Sequence, residues 1–389
     1  MTLDEEARAR IADLEARGLR RQPMVCSSTQ GPTVEFEHRD VVLLCSNDYL
    51  GLADHPALRQ SLAHASAEHG PGAAASRLIS GTHEIHRKAE RRLATLTRMP
   101  AALLFSSGYA ANVGVLSSLS REGDVIFSDA LNHASIIDGC RLSKARVIVY
   151  PHGDVDALSR SLQRERSKAS AAYVVTDALF SMDGDLAPLV ALRELATRFD
   201  AALLVDEAHS VGVLGPDGAG ACASVGVVPD LLVGTLGKAM GLWGAFVAST
   251  PAVLDLLENT ARSFVFSTAT SPAASATCVT ACDLVRDADT ARAQLLRNAA
   301  RLREGLRSRG WDVPASDAQI VPVVLGPAEL TMQISAALLE LGFFVQGIRP
   351  PTVAEGTSRL RLAPMATHDD DVIDSTLAAF ASVEHMRPG

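Results

Sequence analysis

The sequence predicts an α/β fold in which a large domain on a mostly parallel seven-stranded sheet is followed by a smaller C-terminal α+β domain. Between about residues 100 and 250 short apolar runs alternate with helix-like stretches, the pattern of a parallel sheet buried on both faces. After about residue 271 a long helical pattern leads into a different alternation of strand and helix. The chain has 389 residues, 47% hydrophobic and 21% charged, which suits a globular protein of two or three domains, each able to bury a core without a metal or disulfide.

In chain order, the first fifty residues read as an arm: a charged helix from Asp4 onward, a hairpin-like segment (Val34–Phe36 and Val41–Cys45) and a turn from Asn47 to Gly51, packed on the rest. Seven strands follow at Ala101–Phe105, Val125–Ser128, Val147–Tyr150, Ala172–Thr176, Ala202–Asp206, Leu231–Thr235 and Trp243–Ser249. In such a sheet the reactive site belongs at the carboxyl ends of the strands. One long helical pattern spans about Ser271 to Arg309, then strands at Ile320–Val324, Phe343–Ile348 and Arg359–Ala363 with a helix near Leu330–Leu341. Boundaries are drawn at 1–50, 51–285 and 286–389. No repeat or low-complexity linker separates the units.

Thirty-six Lys plus Arg against 45 Asp plus Glu leave a net charge of −9, which argues against nucleic acid as a partner and favours small-molecule chemistry. The six cysteines form no C-x-x-C pair and read as reduced core fillers, and no metal site is expected. The N-terminus has no apolar signal core, and the apolar stretch Leu231–Ala248 is broken by Lys238 and several glycines, so no membrane span is expected and a cytoplasmic location is.

Four lysines, Lys88, Lys144, Lys168 and Lys238, are the only candidates for amine chemistry. Lys238 directly follows a strand, among glycines that leave room for a planar adduct, and desolvation there would make its amine nucleophilic. An isolated loop lysine would simply be solvated. Asp206-Glu207-Ala208-His209 puts an acid at a strand end with a histidine three residues on. It could pair with a protonated heterocycle nitrogen. It could also be the acidic box of a nucleotide hydrolase, but that needs a phosphate loop, and Gly237-Lys238 has Leu232 and Ala239 where glycine and Ser/Thr belong.

Ser106-Ser107-Gly108-Tyr109, between a strand and a helix start, offers free amides to a phosphate, although an ordinary helix cap uses the same residues. His133 follows another strand end, where a neutral imidazole could stack on a planar group or serve only the structure. Ser181 lies in a further polar strand end. Arg359 and Arg361 share one face of a strand, so one could grip a carboxylate while the other pairs structurally. Arg349 sits at the Pro350-Pro351 turn.

These stretches resemble the α-oxoamine synthases, a branch of the fold-type I pyridoxal phosphate enzymes with an aminotransferase-like fold. The resemblance covers about residues 40 to 385 and rests on Ser46-Asn47-Asp48-Tyr49-Leu50-Gly51-Leu52, Ser76-Arg77-Leu78-Ile79-Ser80-Gly81-Thr82-His83, Ser181-Met182-Asp183-Gly184-Asp185, Asp206-Glu207-Ala208-His209 and Gly234-Thr235-Leu236-Gly237-Lys238-Ala239. Ile348-Arg349-Pro350-Pro351-Thr352-Val353 with Ser358-Arg359-Leu360-Arg361-Leu362 is similar to the branch that joins L-alanine to a pimeloyl thioester in biotin synthesis.

The resemblance implies that Lys238 carries pyridoxal phosphate, Asp206 faces its ring nitrogen, His133 stacks on the ring and His209 bonds the ring hydroxyl. Gly108, Tyr109 and Thr235 would bind the phosphate and Ser181 would line the pocket. Asn47 and Arg361 would hold the amino-acid carboxylate, with Arg349, Thr352 and Arg21 as further substrate contacts. It also implies a homodimer with the site at the interface, and a thioester on coenzyme A or an acyl carrier protein. Lys238 would remove the Cα proton of alanine before carbon–carbon bond formation and loss of CO2. Relatives commonly carry a glycine pair before Ser76-Arg77 where this chain has Ala74-Ala75, which leaves acyl specificity open. Other readings are a sister synthase using glycine or L-serine, an aminotransferase on the same fold, or a silent binding protein.

Overall fold

The computed structural model describes residues 1–388. Its strands are β1 Thr33–Phe36, β2 Arg39–Leu43, β3 Ala101–Phe105, β4 Val125–Asp129, β5 Arg146–Tyr150, β6 Ala172–Asp177, β7 Ala202–Asp206, β8 Leu231–Thr235, β9 Ala245–Ser249, β10 Val321–Gly326, β11 Phe343–Phe344, β12 Gln346–Ile348 and β13 Ser358–Leu362. The helices used below are α1 Leu3–Ala16, α2 Pro56–His69, α3 Glu84–Thr97, α4 Gly108–Leu119 and α5 Ala134–Leu142.

The seven expected strands form one sheet in the order β3-β9-β8-β7-β6-β4-β5. Only β9 runs against its neighbours; the pairings β4·β5, β4·β6, β6·β7 and β7·β8 are parallel. Every residue of β4 and β9 is buried, as continuous apolar strands demand when helices cover both faces. Ala245 pairs with both Phe105 and Thr235, so the carboxyl ends of β3 and β8 open on the same edge, one strand apart. Asp177 and Asp206 are register partners at that edge.

The C-terminal region is built on the antiparallel sheet β10-β13-β12. Two expectations are corrected there. The single strand expected over 343–348 is divided: β11 joins β2 in parallel, β12 joins β13, and Val345, fully buried, is the crossing point. The long helical pattern is two helices, Pro272–Arg286 and Asp289–Ser308; the Val285 and Arg286 carbonyls released at the break are taken by Arg292.

The first fifty residues do not pack as one arm. The β1–β2 hairpin pairs through Val42 and Leu43 with β11, whereas α1, closed at its start by a Thr2–Glu5 capping box, buries none of its side chains. Cys140, Cys222, Cys278 and Cys282 are buried as expected, but Cys26 and Cys45 are only partly so, and none is bonded to another. The last predicted strand starts at Ala245 rather than Trp243, which stands 64% exposed beyond the turn at Gly244. Among the described residues no helix is long and apolar enough to cross a membrane.

Candidate active site

Lys238 follows β8 in a turn closed by Gly241 N–H on its own carbonyl and by Leu242 N–H on that of Leu236. This turn aims the half-buried amine back over the sheet edge, where Nζ lies 2.7 Å from His209 Nε2. Burial, with the Arg361 charge adding to it, lowers the lysine to about 8 against the pull of Asp206 and Asp177. His209 is buried, and desolvation together with Lys238 and Arg361 holds its pKa well below the usual histidine range. It is therefore a neutral ring, with one nitrogen donating and the other accepting.

That constraint orients the hydrogen bonds beyond it. His209 Nε2 accepts from the Lys238 ammonium, so Nδ1–H donates to Tyr49 Oη at 2.7 Å, and the Tyr49 hydroxyl donates to Asn47 Oδ1 at 3.0 Å. Arg361 Nη2 closes the chain on Asn47 Oδ1 (3.1 Å) and Tyr49 Oη (3.3 Å), while its Nε donates to the Ser181 carbonyl at 2.5 Å. Arg361 Nη1 has no protein partner among the described residues, so one prong of the fork is available to a carboxylate.

The two strand arginines thus separate. Arg359 pairs with the Asp183 carboxylate and donates to the Thr357 carbonyl at 3.0 Å, so it is spent on structure, and Arg361 faces the site. Ser181 enters through its carbonyl.

Across the edge, Asp206 is fixed by Ala208 N–H at 2.8 Å and by Asn112 Nδ2 at 2.6 Å; the same Asn112 amide reaches Ser135 Oγ at 2.9 Å. His133 caps α5, its Nδ1 2.7 Å from Ser135 Oγ and its backbone N–H on Asp177 Oδ2 at 2.7 Å. Desolvation of its inner flank lowers His133, against the opposing effect of Asp206. Asp177 is buried beside Asp206, and both facts push its carboxyl well up.

At the start of α4, Ser107 supplies its side chain to Ala110 N–H and its carbonyl to Ala111 N–H. The amides of Gly108 and Tyr109 are left facing outward at the positive end of the helix, a seat for an anion. The Tyr109 hydroxyl is held by Asp138. Thr235 Oγ1 donates to the Gly244 carbonyl at 3.1 Å and accepts Gly237 N–H at 3.2 Å, shaping the lysine turn.

The remaining expected residues gather elsewhere. Arg21 donates to Thr352 Oγ1 at 3.0 Å and Arg349 to the Arg20 carbonyl at 2.8 Å. They lie beside a cavity of about 1220 Å³ between α1 and the Pro350-Pro351 turn, lined in part by Leu14, Arg17, Arg20, Arg21 and Val353. None of the Lys238 group lines that cavity. Ala74, in the alanine run, sits at φ +56°, a conformation that favours glycine.

Tyr49, Asn112 and Asp177 are the residues that reading the sequence missed. Tyr49 lies inside a stretch already singled out, and Asn112 and Asp177 lie within three residues of one, but their roles depend on partners 160, 94 and 44 residues away, which local pattern does not reveal. A buried tyrosine in a polar turn and an asparagine one turn into an otherwise apolar helix were the available signals.

Residues 39–380 match the model of the aminotransferase class I and II family. The chain is 50% identical over 377 residues to the 8-amino-7-oxononanoate synthase of Geobacter sulfurreducens, covering 96% of each, and 48% identical over 374 residues to that of Geobacter metallireducens, covering 95% of each. Among solved structures it is similar to the serine palmitoyltransferase of Sphingomonas wittichii (TM-score 0.92, 32% identity, 99% and 98% of the two chains). It is also similar to the 8-amino-7-oxononanoate synthase of Francisella tularensis (TM-score 0.76, 28% identity, 88% and 97%). The fold, the amine-centred site at the sheet edge and these likenesses agree: the chain belongs to the α-oxoamine synthase branch of the aminotransferase class I and II family of pyridoxal phosphate enzymes.

Proposed function

We propose that the protein joins L-alanine to a pimeloyl thioester, on coenzyme A or on an acyl carrier protein, giving 8-amino-7-oxononanoate, CO2 and the free thiol in biotin synthesis. The likeness over nearly the full chain to curated 8-amino-7-oxononanoate synthases supports the substrates. The observation that carries the reading is the directed chain from the Lys238 amine through His209, Tyr49 and Asn47 to Arg361, a base and a carboxylate clamp wired together.

The donor set suits pyridoxal phosphate. Lys238 would hold its aldehyde carbon, Asp206 its ring nitrogen, His209 its ring hydroxyl, and the free Gly108 and Tyr109 amides with the Thr235 turn its phosphate, while His133 and Ser181 would bracket the ring. When bound, the cofactor supplies a sink for the electron pair left at Cα when a bond there breaks.

The chain's own groups do the rest. Arg361 and Asn47 hold the alanine carboxylate and so set which Cα bond stands in line for cleavage. The Lys238 amine, whose pKa burial lowers to about 8 so that a usable minority is neutral near pH 7, takes the Cα proton and later returns one to the new carbon. Neutral His209 accepts from Lys238 and passes no net charge into the pocket. The acyl arm runs into the arginine-rimmed cavity, where Arg21, itself bonded to Thr352, meets its distal carboxylate, with Arg349 and Thr352 in the adjoining cavity that Arg21 also lines. The protein works as a homodimer, a state that suits the exposed Ile79, Trp243 and Phe266.

Thiol release from pimeloyl-coenzyme A by the cofactor-loaded protein tests this, run with L-alanine, glycine and L-serine and with mass analysis of the product. Alanine-dependent release with the 8-amino-7-oxononanoate mass is the expected result. Release with glycine or serine instead overturns the substrate and keeps the family.

A further inference from the structure

His152 has no place in the chemistry above, yet it occupies a singular position. Its Nδ1 lies 2.9 Å from Asp129 Oδ1 and its Nε2 lies 2.8 Å from Asp185 Oδ2. Neither ionised carboxylate can donate, so a ring bonded to both through both nitrogens is doubly protonated, an imidazolium between two anions. Among the described residues no group of such side chains is arranged to hold a metal ion, so the trio is a charge bridge.

What the bridge joins gives it meaning. Asp129 ends β4 and also accepts Leu131 N–H at 2.8 Å and Gly153 N–H at 2.9 Å, fixing the turn that carries Asn132 and His133. Asp185 belongs to the loop 180–185, closed by Phe180 N–H on the Asp185 carbonyl and Gly184 N–H on the Phe180 carbonyl. The His152 ring stands edge-on to Phe180, centroids 4.4 Å apart. That loop presents the Ser181 carbonyl to Arg361 Nε and Asp183 to Arg359. Asp185 Oδ1 is buried without a hydrogen-bond partner, so the contact with His152 is the only one its carboxylate has among the described residues.

We infer that His152 is a positioning residue for amino-acid binding: its imidazolium ties the loop that orients Arg361 to the turn that carries His133, and so sets the carboxylate clamp against the opposite wall of the site. The two carboxylates hold the ring protonated up to about 10, so the bridge stands throughout the physiological range. Loss of either bond removes one anchor of the 180–185 loop, which Arg359 and Ser316 also hold, and loosens the Ser181 carbonyl on which the Arg361 fork is braced. The inference rests on Arg361 being the carboxylate clamp of the proposed function.

The test uses the cofactor-loaded full chain and three variants: His152→Phe, which keeps a ring against Phe180 and loses both donors; Asp185→Asn, a mild change at a partly exposed side chain; and the two combined. L-Alanine affinity is read from the change in cofactor absorbance, cofactor retention by dialysis, and stability by thermal melting. Each single variant is expected to weaken L-alanine binding roughly tenfold with cofactor retention unchanged, and the double variant to be no weaker than His152→Phe, because both break one bridge. Unchanged L-alanine affinity with a lowered melting temperature overturns the inference and leaves His152 a stability residue. Parallel loss of cofactor and L-alanine also overturns it. A wild-type protein that binds no amino acid overturns the carboxylate clamp itself, an outcome that the wild-type control separates from the other two.

Discussion

The two arginine-bearing regions of this protein are built on opposite terms. Around Lys238 the polar groups are held by several partners each: Arg361 is 5% exposed and braced by Asn47, Tyr49 and a main-chain carbonyl, with only its Nη1 left free among the described residues, and Asp206 is held by two amide donors. Beneath α1, Arg21 is tied to Thr352 by one exposed bond, and the helix above it buries nothing. On the proposed function, the first region would fix the geometry of a small, rigid reactant, and the second would leave a basic, apolar-lined space for a long flexible one. Proton removal needs atoms placed to a fraction of an ångström, whereas an acyl chain needs only volume and a terminal charge partner.

Removing the centre of the rigid region has the largest expected effect. Lys238→Ala should lower turnover by at least about a thousandfold, since it deletes the only amine at the site, while the fold, monitored by circular dichroism, persists. Next, Arg361→Ala leaves the Asn47 and Tyr49 oxygens short of a donor and should weaken L-alanine binding by about a hundredfold, far more than cofactor binding, as equilibrium absorbance titrations would read. Equal losses would place Arg361 outside the carboxylate clamp.

The amine itself offers a smaller, sharper probe. In the cofactor-free protein, labelling of Lys238 by an amine reagent should rise through a midpoint near pH 8, where an exposed lysine rises near about 10.4. The sign follows for stability: between about pH 8 and 10.4 the unfolded chain holds the proton that the folded chain has lost, so cofactor-free stability should rise with pH over that window through this group. A Lys238→Met variant should lack that slope. The loose region responds least: Arg21→Ala should raise the KM for the pimeloyl thioester about fivefold to tenfold and leave L-alanine affinity unchanged, as expected for one exposed charged contact. A loss of L-alanine affinity in that variant would merge two regions that the structure separates.

The same contrast explains what was legible in the sequence. Strand ends that carry Asp206, His133, Ser181 and Lys238 announce themselves because a parallel sheet collects its carboxyl ends on one edge, so local pattern predicts a shared location. The choice between Arg359 and Arg361 was not legible: both lie on one face of β13, and only the position of Asp183 decides which is neutralised. Tyr49 and Asn112 escaped for the same reason, being defined by contacts across the fold rather than along the chain. Val345 hid the division between β11 and β12 because a short extended run such as Phe343–Ile348 looks alike in one sheet or two. The cavity below α1 had no local signal at all; Arg21 and Thr352 entered by resemblance alone.

The central claim is decarboxylative condensation at Lys238, and carboxyl-labelled L-alanine tests it most directly. Incubated with the cofactor-loaded protein and pimeloyl-coenzyme A, the label should leave entirely as CO2, one for each thiol released, and the aminoketone should carry none. Label retained in pyruvate, with no thiol released, would contradict the account and make the protein an aminotransferase on this fold.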